Sequence, residues 1–360
     1  MTSEPQTMKA AVLYGVADLR LEAVAIPQAA PGELLLAVET VGICGTDATE
    51  FRNGPKQFPL DRRHPVTGHQ GPLIPGHEFS GRVTGIGADV EGFAEGDLVA
   101  SAGSTGCGVC DSCRAGRTSR CERYWAVGLH SNGALAEYCT VPANACVVVG
   151  APLTPDAAAL AQPMSIAVHA LRRGLIEGGE RVLVVGAGGI GAFVTYAAAA
   201  AGCIVTTVDL DQDRLDIAAA MGARKTILAG ADSDLTGLDA DVVLEITGSE
   251  PGLRTALAGL GRGGRLVAVG FQKHPVTIDL AEVTTAEQEL VGTNRIDAGI
   301  DLPEATRLLV TRELPWSDVA PVVLPLDDVE RALMAMAAGE KGPIKTLFSP
   351  QAAGSRPSQM

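Results

Sequence analysis

Residues 181–209 read "RVLVVGAGGIGAFVTYAAAAAGCIVTTVD", and this stretch decides the fold of a large part of the chain. "RVLVV" is apolar at four successive positions with no alternation, as a strand buried on both faces requires. "GAGGIG" follows at 186–191, and a run of alanines opens behind it, so the glycines stand between a strand and a helix. In that context Gly186 permits the tight turn, Gly188 lets backbone approach a pyrophosphate, and Gly191 allows close helix-to-strand packing, while the helix start offers free N–H groups to the anion. The next strand, "CIVTTVD", ends in Asp209, eighteen positions beyond Gly191. A carboxylate there can take both hydroxyls of an adenosine ribose and repels a 2′-phosphate, so NAD is expected in preference to NADP. The alternative is a strand-to-helix turn without a ligand. Spacing, context and the acid together count against it.

Outward from this stretch, residues 162–294 keep the same rhythm of buried strands and helices: "DRLDIAAAMGA", "DVVLEIT", "PGLRTALAGL", "GRLVAVG" and "QELVGTN". That alternation predicts a doubly wound parallel sheet. From 8 to about 149 the text changes to short β-rich runs broken by Gly and Pro, such as "AAVLYG", "ELLLAVETVG", "FSGRVTGIG" and "AEYCTVPANACVVV". After the sheet come a helix near 303–310, the apolar "VAPVVLPL", a helix near 327–338, and "KTLFS", a strand able to rejoin the first domain. The expected division is a β-rich domain over 1–161 with a lobe at 103–124, a doubly wound domain over 162–298, a return over 299–350, and a flexible tail over 351–360.

A chain of 360 residues has room for two such cores. With 46% hydrophobic and 19% charged residues it reads as well packed, and no apolar stretch reaches the roughly 18 residues of a membrane span. The start "MTSEPQTMKA" lacks a secretory pattern, so a cytoplasmic location is expected. A net charge of -14 and a pI near 4.9 argue against nucleic acid and anionic membranes as partners and favour small molecules.

Eight cysteines divide into groups with different work. "CGVCDSCRAGRTSRC" sets Cys107, Cys110, Cys113 and Cys121 at a spacing that lets four thiolates close around zinc, with no open position, as a structural site requires. Cys139, Cys146 and Cys203 lie in apolar strand text and read as buried hydrophobes. In "GICGTD" Cys44 stands on a turn after a strand, and in "PGHEFSG" His77 and Glu78 stand before another. Thiolate, imidazole and carboxylate could share a second zinc with a place left for water or substrate. Taken singly, Cys44 could be a packed thiol, and His77 with Glu78 a hydrogen-bonded pair at a strand entrance.

These motifs resemble the zinc-dependent medium-chain alcohol dehydrogenases. "GICGTD", "GHEFSG", the four-cysteine lobe, "GAGGIG" and "DLDQDRL" fall in that family's order and approximate spacing, between about 8 and 348. "HPVTG" before "PGHEFSG" resembles the 2,3-butanediol dehydrogenase branch, with sorbitol and other polyol dehydrogenases close by. The resemblance implies an α/β architecture, a GroES-like β-rich catalytic domain plus a Rossmann domain with a doubly wound parallel sheet. It implies one structural zinc, a catalytic zinc at Cys44, His77 and Glu78, and NAD. It also implies that Thr46 passes the alcohol proton onward, that Ile190, Arg214, Val269 and Phe271 touch the dinucleotide, and that the protein is a homodimer or homotetramer.

Two positions depart from the family pattern. In "LAQPMSIAVHA" Gln162 stands where Glu or Cys is usual, so the fourth group near the catalytic zinc is neutral. After "GICGTD" the chain continues Ala48-Thr49 in place of Leu-His, so the usual proton exit is missing, and a water, Glu50, His64 or His69 would have to replace it. The leading expectation is an NAD-linked zinc oxidoreductase that interconverts a secondary alcohol, of vicinal diol or polyol type, and its ketone. The alternatives are a zinc-independent reductase of an activated C=C or C=N bond, and a non-catalytic NAD-binding protein.

Overall fold

Val182–Val185 are buried, and the strand that carries them, Arg181–Val185, lies inside a six-stranded sheet in which every pairing is parallel. The strand order is Lys225–Leu228, Ile204–Asp209, Arg181–Val185, Ala240–Glu245, Leu260–Ala268, Glu289–Gly292. Numbered within this sheet that order is 3-2-1-4-5-6, the Rossmann arrangement, and it reverses direction between Arg181–Val185 and Ala240–Glu245. Ligands bind such sheets beyond the carboxyl ends of the strands at that reversal, where Gly186 and the loop after Glu245 emerge. The helix Gly191–Ala200 is buried from Gly191 to Ala198, which is why its sequence is apolar on every side.

The structure, a computed structural model, describes residues 6–230, 235, 237–310 and 316–360. The described residues fall into two units, one of 6–165, 296–310 and 316–360, the other the parallel-sheet unit of 166–295. Among the described residues no helix is long and apolar enough to cross a membrane.

The spine of the first unit is Glu33–Ile43, whose burial alternates along most of its length. It pairs antiparallel with Glu78–Ile86, Tyr138–Pro142 and Thr346–Ser349. Leu34, Leu36, Val38 and Val41 meet Phe79, Val83, Leu135 and Phe348 in one apolar core. In that register Gly42 faces both Glu78 and Leu347, and so the residues just beyond, at 44 and 77, come together.

The segment 351–360, expected as a flexible tail, is paired. Arg356–Pro357 runs antiparallel to Val322 and Val323. The Arg356 guanidinium forks onto Asp156, with Nη1 at 2.6 Å from Oδ2 and Nη2 at 2.8 Å from Oδ1. Gln359 N also donates to Oδ2 at 2.7 Å, and the Thr40 hydroxyl to Oδ1 at 2.6 Å. A polar Gly- and Ser-containing stretch carries no local sign of this, because its partner lies 200 positions away.

Candidate active site

Cys44 leaves the spine strand in extended conformation and caps the helix Gly45–Asn53. Its backbone N–H donates to Asp47 Oδ2 at 2.9 Å, and its sulfur accepts from Thr46 N at 3.3 Å, a reciprocal cap that fixes where the thiol points. It points at His77: Sγ and Nε2 are 3.1 Å apart. On the far side of the ring His77 Nδ1 lies 3.5 Å from Asp47 Oδ1, and both atoms are buried without a hydrogen-bond partner. An N–H on Nδ1 directed at the carboxylate leaves the Nε2 lone pair beside the sulfur. Burial opposes a charged imidazole here, but the Cys44 sulfur and then Asp47 outweigh it and raise the His77 pKa well above the ordinary value. A thiolate and an imidazole nitrogen that converge over a buried carboxylate form a donor set suited to zinc.

Glu78, expected as the third ligand, is not brought to that cluster. Its Oε1 accepts from Lys345 Nζ at 2.5 Å, with both side chains about 3% exposed. Successive residues entering a strand face opposite ways, which fits Glu78 meeting Lys345 while His77 meets Cys44. Glu78 Oε2 is buried without a partner and would lie 2.9 Å from a Cβ on Gly42, so a side chain there would press on the carboxylate. Gln162 stands half-buried in the first turn of the helix Ala161–Arg173.

The four lobe cysteines close as their spacing predicts, with all four sulfurs within 4.8 Å of one another. A Cβ on Gly106 would sit 2.7 Å from Cys113 Sγ, so the cluster packs directly over that glycine. Backbone N–H groups of Val109 and Cys110 draw the Cys107 thiol down to about 6. Burial and the adjacent Cys110 thiol push Cys113 up to about 12. Crowded sulfurs that cannot all ionise alone are what a dication relieves.

In the parallel-sheet unit Gly186 has φ +103°, and a Cβ on Gly191 would fall 1.8 Å from its carbonyl, so neither position tolerates a side chain. Ile190 caps the helix, and the nearest atom to a Cβ on Gly188 would be Arg214 Nη1 at 3.5 Å. Asp209 accepts from Ala187 N at 2.6 Å and from Asp211 N at 3.0 Å, which fixes the carboxylate beside the glycine turn. Val269 is half-buried and Phe271 is 71% exposed, one loop beyond the fifth strand of the sheet.

Residues 30–151 match the alcohol dehydrogenase GroES-like domain family, and residues 189–311 match the zinc-binding dehydrogenase family. The chain belongs to the zinc-binding alcohol dehydrogenases. It is 33% identical over 352 residues to an erythritol/L-threitol dehydrogenase of Mycolicibacterium smegmatis, covering 94% of this chain and 96% of that one. The structure of 2R,3R-butanediol dehydrogenase from Bacillus subtilis superposes with a TM-score of 0.86 at 27% identity, over 96% of this chain and all of the other. A protein described as a zinc-binding dehydrogenase from Sinorhizobium meliloti 1021, solved with NADP bound, gives a TM-score of 0.83 at 27% identity, with 96% and 99% covered. The chain is therefore an oxidoreductase acting on alcohols, of a family described as zinc-binding.

Within this dehydrogenase the substitute proton exits are otherwise engaged. The Thr49 hydroxyl donates to Gly45 O at 2.7 Å. Glu50 is buried and anchors a loop by accepting from Lys56 N at 2.9 Å and Gln57 N at 2.8 Å. His64 stacks on His130 at 4.4 Å and accepts from Thr67 N, and burial followed by the neighbouring Arg62 lowers its pKa. His69 Nε2 lies 3.1 Å from Pro72 O. Of the three cysteines expected to be buried, Cys139 is, whereas Cys146 and Cys203 are half-buried; burial raises the thiol pKa of each. Sequence reasoning missed Asp47 and Lys345. Asp47 had a readable signal, because it stands three residues after a capping Cys44, whereas Lys345 had none.

Proposed function

We propose that the protein is an NAD-linked zinc dehydrogenase that interconverts a secondary alcohol, of vicinal diol or polyol type, and its ketone. The observation that carries this reading is the 3.1 Å approach of Cys44 Sγ and His77 Nε2 over the buried Asp47. Cys44 and His77 would hold the catalytic metal, with Asp47 fixing the imidazole tautomer and the Cys44 backbone. When bound, zinc supplies Lewis acidity toward the carbinol oxygen and the nicotinamide ring supplies the hydride acceptor. Thr46, half-buried one residue into the helix, would take the alcohol proton through its hydroxyl. Gln162, being neutral, would tune the metal and not anchor it.

The turn Gly186, Gly188, Ile190 and Gly191 would hold the pyrophosphate, with Arg214, Val269 and Phe271 lining the dinucleotide. Asp209 supports NAD over NADP, since a carboxylate beside the turn repels a 2′-phosphate. The four-cysteine lobe would hold a structural zinc. A cytoplasmic location fits a cluster of cysteines that are not joined in disulfides. A homo-oligomer fits the outermost strand Glu289–Gly292, mostly exposed and with one edge unpaired among the described residues.

A panel of diols, polyols and matching ketones, read at the nicotinamide absorbance band and combined with metal analysis, tests the reading. Two zinc ions per chain and turnover of vicinal diols with NAD are expected. One zinc with turnover of an activated C=C or C=N bond would replace it with the zinc-independent reductase. NADP used as well as NAD would overturn the role given to Asp209.

A further inference from the structure

Glu245 ends the strand Ala240–Glu245, is fully buried, and has no ion-pair partner among the described residues. Its carboxylate is met by neutral donors instead. Thr247 N at 2.7 Å, Gly248 N at 3.1 Å and the Thr247 hydroxyl all donate to Oε1, and Gln272 Nε2 donates to Oε2 at 3.3 Å. The backbone carbonyl of the same residue accepts from Val269 N and Gly270 N, each at 2.9 Å. One residue thus ties together two loops, 246–249 and 269–272. Those loops touch backbone to backbone: a Cβ on Gly248 would lie 2.4 Å from Phe271 O, and one on Gly270 would lie 2.2 Å from Gly248 N. On the other side, a Cβ on Gly186 would lie 3.0 Å from Thr247 Cγ2, so the first loop also abuts the glycine turn.

An unpaired buried carboxylate is costly, and an apolar residue would serve the core better. What Glu245 supplies is several acceptor sites at one point, where N–H donors from two loops converge at the carboxyl end of the sheet. We infer that Glu245 is a positioning residue for the dinucleotide: its carboxylate holds loops 246–249 and 269–272 against Gly186 and so fixes the walls of the coenzyme site. This rests on the reading that the turn at 186–191 binds the dinucleotide.

Glu245→Gln keeps the size but turns one acceptor oxygen into an amino group facing N–H donors. NADH binding, followed by its fluorescence in titrations of the whole protein, is expected to weaken about tenfold, the loss of one hydrogen bond to a charged group. KM for NAD should rise by a similar factor, while zinc content and kcat at saturating NAD stay within about twofold, because no group near the metal changes. Gln272→Ala, at an exposed residue, removes a single donor, and it should weaken NADH about twofold to threefold with an unchanged melting temperature. An NADH Kd equal to that of the unaltered protein in folded Glu245→Gln overturns the inference. If that variant does not fold, an unchanged Kd in Gln272→Ala overturns it. Failure of the unaltered protein to bind NADH at all would instead overturn the dinucleotide reading beneath it.

Discussion

At the scale of single residues, Asp47 acts on two neighbours at once: one carboxylate oxygen caps the Cys44 backbone and the other faces His77 Nδ1. Asp47→Asn can keep the cap but loses the charge that favours an Nδ1–H imidazole. Zinc affinity or kcat/KM should fall about 10- to 100-fold, as for other groups that orient a metal-binding histidine. Full zinc occupancy with undiminished kcat/KM would remove that role. Glu78 and Lys345 make a second residue-scale case, since both are buried and each is the other's charge partner. Lys345→Met strands the carboxylate and should cost about 3 to 5 kcal/mol in urea unfolding, whereas the double variant Glu78→Gln/Lys345→Met should recover much of it. Equal stability of the single and double variants would show that the pair is not coupled.

At the scale of elements, the lobe that carries Cys107, Cys110, Cys113 and Cys121 has little regular structure. It holds the short helix Asp111–Arg114, with no buried residue, and a single turn at Thr118–Arg120. So little buried apolar surface cannot offset the entropy of ordering the loop, and metal ligation would have to supply the difference. Cys110→Ser replaces a thiolate with a neutral hydroxyl. The melting temperature should fall, and metal analysis should find one zinc fewer per chain than in the unaltered protein, because the lobe ion is lost. A melt unchanged by the substitution, with two zinc ions still bound, would argue against a four-thiolate site.

At the scale of the whole molecule, the last residues return to Asp156, and this contact gives a pH-dependent stability. Burial alone would raise the Asp156 pKa, but the Arg356 fork, the Thr40 hydroxyl and the Gln359 N–H outweigh it and hold it below the usual carboxylate range. A carboxyl depressed in the folded state stabilises fully above its unfolded pKa of about 3.9 and loses that contribution as pH falls through the folded value. Arg356→Ala should therefore cost about 2 kcal/mol near neutral pH, a value reduced from that of a fully buried pair because Arg356 is about one-third exposed. The gap in melting temperature between the two proteins should narrow below about pH 4. A gap independent of pH would assign the effect to lost packing of the arginine stem.

The strand-to-helix turn at 186–191, the acid at 209 and the four-cysteine spacing were legible in the sequence because each is a local property. Glycine conformation, helix start and thiolate spacing are set within a few tens of residues, and the backbone has few ways to satisfy them. The fold class followed from the same local rhythm, strands buried on both faces alternating with helices. What only the tertiary structure decided is which distant group each buried charge meets. Glu78 looked like a zinc ligand because it follows His77, yet the register of Gly42 with both Glu78 and Leu347 delivers Lys345 to it from 267 positions away. Asp156 and Arg356, 200 positions apart, and the two loops gathered by Glu245 were equally hidden. A linear motif does not report the face on which a side chain emerges, and a one-residue change of register reverses every face, so partners of this kind exist only once the strands have paired.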